Sequence, residues 1–333
     1  MLRIGHELVR RFGSLGRYVV QRAQPAAERP VVFMHIPKTG GSALISELRD
    51  TLAPVQLVHG LDRCLFGGFD AFDSLGEVER GLVFTDPAEL PQNAHLVVGH
   101  MAFSTLRAIY PSGQFVTVLR EPVSRLLSHW NYWRAWTDDA LAGWGAWGDV
   151  VRQGQKSLAV FLDDPSIASS ADNVAVRMLL WPHPLIPDDD FIDPAHDDVL
   201  VREACARLRQ FSLVDIVESP GREALRAWCG LPIGKRRENE TPPARPDHCK
   251  ALHAELTPFA LDRLDACSRL DLRLWQSVGL ARMGKIALDQ LRSRQLLVTV
   301  SRHAALLSGS VGGGSAACEA AHAAWQSDLS AVA

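Results

Sequence analysis

The sequence predicts an α/β protein built on a parallel β-sheet, and three observations support this prediction. Short apolar runs typical of buried strands recur along the chain. Stretches with helical periodicity lie between them, and strands that alternate with helices form parallel sheets. A glycine-rich turn joins the first apolar run to the first helical stretch. The apolar runs are VVFMHI at 31–36, AHLVVGH at 94–100, FVTVL at 115–119 and FSLVDIV at 211–217.

Helix signals accompany these runs. SALISELRDTL at 42–52 has helical spacing and begins with Ser42, just after a pair of glycines. The stretch VSRLLSHWNYWRAW follows Pro122, and proline suits the first turn of a helix. GREALRAWCGL follows the fourth run, and residues 256–280 form a longer amphipathic pattern. The alternating pattern therefore continues to about residue 280.

Composition excludes several classes of protein. With 333 residues the chain has the length of two domains of ~150 residues, although one α/β domain can reach ~250 residues. Hydrophobic residues make up 47% and charged residues 22% of the sequence, which excludes collagen-like, fully disordered and small disulfide-framework proteins. The 35 basic and 38 acidic residues give a net charge of −3, so we expect no nucleic-acid partner. A local basic pocket for a small anion is compatible with this charge.

Cysteine usage and hydropathy indicate the compartment. Six cysteines are spread along the chain without a CxxC pair or zinc-finger spacing, which favours free thiols in a reducing compartment. The sequence has neither an apolar run of about 18 residues nor a signal-peptide pattern. We therefore expect a cytoplasmic protein, and the sequence indicates no metal site.

The chain divides into three predicted segments. Residues 1–29 form a basic amphipathic segment, residues 30–281 the main domain, and residues 282–333 a C-terminal helix with a low-complexity tail. The first segment could lie on an anionic membrane or pack on its own domain. Two interior glycines weaken an independent helix and favour packing, but peripheral membrane contact through residues 1–20 stays open.

The first motif, HIPKTGGSAL at 35–44, lies at the predicted turn from strand to helix. Backbone amides of a glycine-rich turn and a helix N-terminus form a cradle for an anion, and Lys38 adds a positive charge. The lysine precedes the glycine pair, so the Walker pattern is absent, which argues against an ordinary ATPase or GTPase. A tight turn with a surface lysine is the alternative. The residues predicted to bind a phosphate-like group are Pro37, Lys38, Thr39, Gly40, Gly41 and Ser42.

The second motif is REPVSRLLS at 120–128. Arg120 lies at the carboxyl end of a predicted strand, where ligands bind in open α/β sheets. Ser124 and Ser128 are four residues apart and share a helix face with Arg125. Arginine and serine at the start of a helix suit a second phosphate group. A helix cap with solvent-exposed arginines is the alternative interpretation.

Together, the two motifs resemble those of carbohydrate sulfotransferases that use 3′-phosphoadenosine 5′-phosphosulfate (PAPS). The resemblance is to the branch that contains the heparan sulfate 2-O- and 6-O-sulfotransferases and their bacterial relatives. It extends over about residues 30–280, with weaker similarity at 172–180, 211–225 and 237–243. One departure is Ala43, where many members carry a second hydroxyl residue. The resemblance implies a three-layer, P-loop-like α/β domain with a central parallel sheet flanked by helices.

The resemblance also implies a role for each motif. The first motif would bind the 5′-phosphosulfate of PAPS. In the second motif, Arg120, Arg125 and Ser128 would bind the 3′-phosphate. PAPS would thus be the sulfuryl donor, and the scheme requires no metal.

The resemblance further implies a catalytic base. A lone histidine at a strand end is more often structural, but related 2-O-sulfotransferases carry Gly-His at the position of His100, with the histidine as base. His100 and Lys38 are therefore the predicted catalytic residues, with His59 and His95 as alternatives for the base. His35 precedes the cradle and is expected to orient it.

The implied reaction is transfer of the sulfuryl group from PAPS to a hydroxyl of a carbohydrate or glycan acceptor, by in-line displacement. A neutral imidazole, with a pKa of ~6.5, can take the hydroxyl proton. Lys38 and the amides of the turn would stabilise the charge that develops on the leaving oxygen. Two alternatives remain open: a kinase-like phosphotransferase with an atypical phosphate loop, and a non-catalytic nucleotide-binding relative. The sequence does not indicate the oligomeric state.

Two further features have a functional and a structural interpretation. Five of the nine tryptophans lie between residues 130 and 147, and aromatic faces stack on sugar rings. The spacing of three favours packing for Trp130 and Trp133 and leaves the others undecided. The basic run at 235–237 suits either a loop over the nucleotide or a solvated surface.

Overall fold

The computed structural model describes residues 29–219, 223–230 and 252–307 and shows a six-stranded, all-parallel sheet. The strand order across the sheet is β3-β2-β4-β1-β5-β6. This architecture confirms the predicted α/β class, and all four predicted strands are present. The strands are β1 (Val31–Met34), β2 (Leu57–Asp62), β3 (Val83–Phe84), β4 (Leu96–His100), β5 (Gln114–Leu119) and β6 (Leu213–Ile216).

Helices connect the strands, and a large group of them lies in the connection between β5 and β6. The helices of the first half are α1 (Gly41–Leu52), α2 (Glu77–Arg80), α3 (Phe103–Ile109), α4 (Pro122–Arg134), α5 (Asp138–Ala142), α6 (Gly145–Val151) and α7 (Leu158–Asp163). Those of the second half are α8 (Ala168–Ala171), α9 (Val174–Leu180), α10 (Asp197–Leu208), α11 (Glu223–Cys229), α12 (Leu252–Glu255), α13 (Pro258–Met283) and α14 (Lys285–Leu307).

The central strand β1 is buried on both faces, as its uninterrupted apolar sequence requires. Val31 and Phe33 contribute to one hydrophobic cluster, and Val32 and Met34 to another. Helices α1 and α11 pack on the first face of the sheet, while α3, α9, α10 and part of α13 pack on the second. The sheet between two helical layers confirms the three-layer arrangement.

A third hydrophobic cluster holds the aromatic residues of α4 and of the short helices that follow it. Trp130 is fully buried and Trp133 nearly so, which confirms the packing prediction for both. Trp144 and Trp147 are buried in the same cluster, and Trp136 packs against it with part of its ring exposed. Four of these five tryptophans thus stabilise the core by burying large aromatic surfaces.

Strand β2 was not predicted, because its sequence LVHGLD contains no continuous apolar run. It nevertheless lies inside the sheet, between β3 and β4. Its last residue, Asp62, is buried and accepts hydrogen bonds from the backbone amides of Cys64, at 3.0 Å, and Ala102, at 2.8 Å. Burial raises the pKa of this carboxyl group. Asp62 therefore ties the end of β2 to the segment that follows β4.

Helices α13 and α14 continue the chain beyond the predicted domain limit at residue 281, and α14 packs against α4. The predictions for residues 1–28, the run at 235–237 and the tail after 307 lie outside the described residues. Among the described helices, none has both the length and the apolar character needed to span a bilayer. The described cysteines, which are Cys64, Cys205, Cys229 and Cys267, are buried free thiols.

Candidate functional site

The residues of both motifs meet at the carboxyl edge of the sheet. Strand β1 pairs with β4 on one side and with β5 on the other, so the segments after these three strands are neighbours. The connection through α1 runs over one face of the sheet and the connection through α3 over the other. Ligands of open α/β sheets bind where the connections diverge in this way. The topology therefore brings the turn after β1, His100 after β4 and Arg120 after β5 to one place.

The turn between β1 and α1 has an unusual backbone. Lys38 has a positive φ of 66°, which is uncommon for a residue with a side chain, and Gly40 has a φ of 71°. The hydroxyl of Thr39, which is buried, donates a hydrogen bond to the carbonyl of Ile36 at 2.8 Å. Thr39 was expected to donate to a ligand, but in this structure its hydroxyl proton closes the turn. Pro37 is buried, whereas Gly40 is exposed and Ser42 partly so.

Gly41 begins α1 directly against the imidazole of His35. A Cβ atom at Gly41 would lie 2.1 Å from Nε2 of His35, far closer than real Cβ atoms approach. Nε2 of His35 is buried and has no hydrogen-bond partner. Burial, followed by the charge of His100, lowers the pKa of His35 well below its usual range, so its ring stays neutral. The imidazole of His35 thus packs against the turn, and only glycine at position 41 leaves room for this ring.

We expect Gly41→Ala to destabilise the fold by about 1–3 kcal/mol, because the added methyl group overpacks the site and displaces either the His35 ring or the start of α1. Urea unfolding of the full chain measures this loss. Gly81→Ala is the matched control, since Gly81 is exposed with ordinary contact distances at its Cβ position. Equal stability of Gly41→Ala and Gly81→Ala would contradict the tight packing of His35 under the turn.

His100 is held by the backbone of the first motif. Its Nδ1 lies 2.5 Å from the carbonyl oxygen of His35, and the two imidazole rings are 4.5 Å apart. Because a carbonyl only accepts hydrogen bonds, Nδ1 of His100 donates, and the lone pair of the neutral ring lies on Nε2. Burial lowers the pKa of His100 to about 4, against a smaller raising effect of the hydrogen bond to His35. The residue as a whole is half-buried, and its ring is thus neutral and able to accept a proton at physiological pH.

The two alternatives to His100 as the base, His59 and His95, lie at different places in the sheet. His59 pairs with Val98 in the middle of the β2–β4 ladder, and its charge acts on both His35 and His100. His95 precedes β4 and is exposed at the opposite, amino edge of the sheet. The structure thus separates His95 from the other site residues.

The second motif contacts the first through Arg120. Its Nη1 donates a hydrogen bond of 2.9 Å to the carbonyl of Lys38, across 82 positions of sequence. Arg125 is buried, and its Nη2 donates to the carbonyl of Ala171 at 3.1 Å. Nε and Nη1 of Arg125 are buried without a hydrogen-bond partner. Burial lowers the pKa of Arg125 to about 10, so the guanidinium remains a cation at neutral pH. Ser128 is buried one turn further along α4.

Ser124 makes a contact that its spacing from Ser128 does not indicate. Ser124 accepts a hydrogen bond of 3.0 Å from the hydroxyl of Thr299 on α14. Its backbone amide donates to the carboxylate of Glu121 at 2.7 Å, which caps α4. Ser124 thus serves the docking of α14. Hydroxyl spacing along α4 could not reveal this, because α14 lies far away in sequence.

Buried carboxylates fix the start of α4 from behind. Glu121 also lies 3.4 Å from the guanidinium of Arg292 on α14. Glu218, just after β6, accepts hydrogen bonds from the backbone amide of Glu121, at 2.9 Å, and from the indole of Trp275, at 3.0 Å. Burial raises the pKa of Glu218. Together these contacts hold Arg120 and the first turn of α4 in place.

Sequence reasoning missed two residues of α4. His129 is buried against Trp133, with a ring distance of 4.6 Å, and neither of its ring nitrogens has a hydrogen-bond partner. Burial, and then the charges of Arg125 and Lys38, lower its pKa well below the usual range. Tyr132 lies under Lys38, whose Nζ is 3.9 Å from the centre of the ring. The spacing of four residues from Arg125 to His129, and from Ser128 to Tyr132, was the signal available in the sequence.

In residues 29–219, 223–230 and 252–307, no group of three or more His, Cys, Asp or Glu side chains is arranged to hold a metal ion. Neither a known family model nor a curated protein matches this chain.

Proposed function

We propose that this chain is a PAPS-dependent sulfotransferase that transfers a sulfuryl group to a hydroxyl of a carbohydrate acceptor. The observation that carries the proposal is the direct contact between the two motifs, in which Arg120 binds the carbonyl of Lys38 at 2.9 Å. This contact brings two predicted anion sites that are distant in sequence next to each other. A donor with phosphate groups at both ends of a ribose has the matching chemistry.

The donor set of the site fits such a ligand. Arg125 is a buried cation with two nitrogen positions that lack a protein partner, and a buried polar group without a partner costs free energy. A phosphate oxygen would supply the missing acceptor. In this proposal, the turn at 37–42 holds the 5′-phosphosulfate, and Arg120, Arg125 and Ser128 hold the 3′-phosphate.

The proposed reaction follows from the charge and tautomer of two side chains. The acceptor hydroxyl attacks the sulfur atom while the bond from sulfur to the oxygen of the 5′-phosphate breaks. Nε2 of His100 takes the hydroxyl proton, because Nδ1 is already the donor to His35. The ammonium of Lys38 stabilises the negative charge that develops on the leaving phosphate oxygen.

The carbohydrate acceptor has its support in the resemblance of the motifs and not in the tryptophans. Trp130, Trp133, Trp144 and Trp147 are core residues, so stacking on a sugar is left to partly exposed rings such as Trp136. The sequence predicts that the protein binds no nucleic acid and that it is cytoplasmic, and both statements stay predictions.

A kinase-like phosphotransferase is the second candidate, and it would require a carboxylate for Mg²⁺ near the phosphate site. Three described carboxylates at this edge are engaged otherwise. Asp62 accepts two backbone hydrogen bonds, Glu121 caps α4, and Glu218 binds a backbone amide and an indole. These engagements argue against Asp62, Glu121 and Glu218 as ligands of Mg²⁺. A nucleotide-binding protein without turnover is the third candidate.

Calorimetric titration tests the proposal, with 3′-phosphoadenosine 5′-phosphate (PAP) and ATP·Mg²⁺ as separate ligands of the full chain. We expect PAP to bind and ATP·Mg²⁺ to bind much more weakly. Incubation with ³⁵S-labelled PAPS and a panel of glycans then tests transfer. Binding of ATP·Mg²⁺ in preference to PAP would move the protein to the phosphotransferases. PAP binding without transfer to any glycan would favour a different acceptor or a non-catalytic binder.

A further inference from the structure

Tyr132 lies under the ammonium group of Lys38, at a place to which neither motif assigns a role. Nζ of Lys38 is 3.9 Å from the centre of the Tyr132 ring, well within the ~6 Å over which a cation is attracted to an aromatic face. From this contact we infer that Tyr132 is a positioning residue, which holds the Lys38 ammonium where the phosphosulfate of the donor binds. The inference rests on the proposed function.

The helix places the ring beside the phosphate site. Tyr132 is four residues beyond Ser128, so the two lie on the same face of α4, one turn apart. The ring itself is held in position by Trp136, whose ring is 5.7 Å away at an interplanar angle of 90°. Packing against Trp136 thus contributes to the orientation of the ring beside its contact with Lys38.

Residues of the second motif and its helix contact Lys38 at its backbone and at the tip of its side chain. Arg120 binds the backbone carbonyl of Lys38, and Tyr132 contacts its Nζ. The φ of 66° at Lys38 is a conformation that persists only where surrounding contacts enforce it. A lysine side chain has four rotatable bonds and loses much rotamer freedom when it binds a phosphate. An ammonium already held in position loses less of that freedom on binding, which favours the bound state.

An aromatic ring suits this task better than a carboxylate would. A carboxylate partner would neutralise the charge that an anionic donor requires. Burial raises the pKa of Tyr132, so its phenol is uncharged at physiological pH. The ring face therefore attracts the ammonium and carries no negative charge that would compete with the phosphosulfate.

The contact itself is measured in the protein without nucleotide. The protein is labelled with ¹³C at the lysine ε-carbon and studied by NMR. The signal of Lys38 is assigned by its loss in Lys38→Met. We expect this signal to be shifted upfield by the ring current of Tyr132. Tyr132→Phe keeps the ring and the upfield position, and Tyr132→Leu abolishes it. Lys156, whose residue is exposed, is the internal control and does not shift. A Lys38 signal that does not respond to Tyr132→Leu overturns the inference.

The role is measured by PAP affinity in a double-mutant cycle, which isolates the interaction of two residues. We expect Tyr132→Leu to weaken PAP binding by about threefold to tenfold, the range of a partly desolvated cation–π contact, and Tyr132→Phe to retain most of the affinity. In the Lys38→Met background, Tyr132→Leu should cause no further loss.

If Tyr132→Leu lowered PAP affinity equally in the wild type and in Lys38→Met, the ring would act only through the packing of α4, and the inference would be overturned. PAP binding by the wild type would still support the proposed function in that case. A wild type that shows the ring-current shift but does not bind PAP would refute the proposed function, and the positioning role would fall with it.

Discussion

Replacing Lys38 with methionine is expected to weaken PAP binding by about tenfold or more and to slow sulfuryl transfer by about 10²–10³-fold. The affinity is lost because a charge-assisted contact to phosphate disappears. The larger loss in rate follows because the ammonium would face the oxygen on which charge develops in the transition state. Calorimetry with PAP and single-turnover transfer from ³⁵S-labelled PAPS measure the two effects.

Lys156→Met is the matched control for this change. It removes the same charge from an exposed residue whose backbone carbonyl, and not its side chain, binds Trp130 and Arg134. We expect it to leave affinity and rate unchanged. If Lys38→Met and Lys156→Met behaved alike, the turn at 37–42 would be a structural turn with a surface lysine, and the assignment of the 5′-phosphosulfate to it would be wrong.

His100→Ala is expected to retain PAP binding within about twofold and to lose about 10²–10⁴-fold in transfer rate, since general-base catalysis contributes on this order. The rate falls while the affinity is retained because, in the proposal, His100 accepts the proton of the acceptor hydroxyl and does not bind the nucleotide phosphates. His95→Ala is the control, because His95 is exposed at the opposite edge of the sheet. Retained transfer by His100→Ala would exclude it as the base and direct attention to His59.

We expect protonation of His100, the proposed base, to determine the pH dependence of the proposed reaction. Burial lowers the pKa of His100 to about 4, so the neutral, proton-accepting form persists well below pH 6.5. We therefore expect kcat/KM of the wild type to be level from about pH 6 to pH 8 and to fall only on further acidification, as the ring becomes protonated. A limb with an apparent pKa close to 6.5 would show instead that the reacting base is a solvated imidazole.

The strands and helices that carry the two motifs could be predicted from local sequence. The run at 31–36 is apolar because β1 is buried on both faces, and Pro122 begins α4 because proline suits a first turn. Strand β2 could not be found in this way. Its histidine, glycine and aspartate interrupt the apolar pattern, and Asp62 is tolerated inside only because Cys64 and Ala102 donate hydrogen bonds to it.

The sequence could predict that Lys38, His100 and Arg120 lie at one edge of the sheet, but it could not predict which groups the hydroxyls of the two motifs contact. Thr39 closes the turn, and Ser124 binds α14. Which group a hydroxyl reaches depends on packing between segments that are remote in sequence, and spacing within one helix carries no information about it. For His129 and Tyr132, spacing along α4 indicated the shared helix face, but their interactions with Lys38 depend on the packing of the turn against α4.

The sequence by itself determined the α/β class, the turn after β1 and the composition of the two motifs, because backbone conformation, burial periodicity and charge are local properties of the chain. Tertiary structure alone decided that Arg120 reaches the carbonyl of Lys38, that Arg125 is buried with two nitrogen positions unpartnered, and that His100 donates through Nδ1. These contacts depend on the order and register of parallel strands and on the docking of α4, which arise only when the whole chain packs.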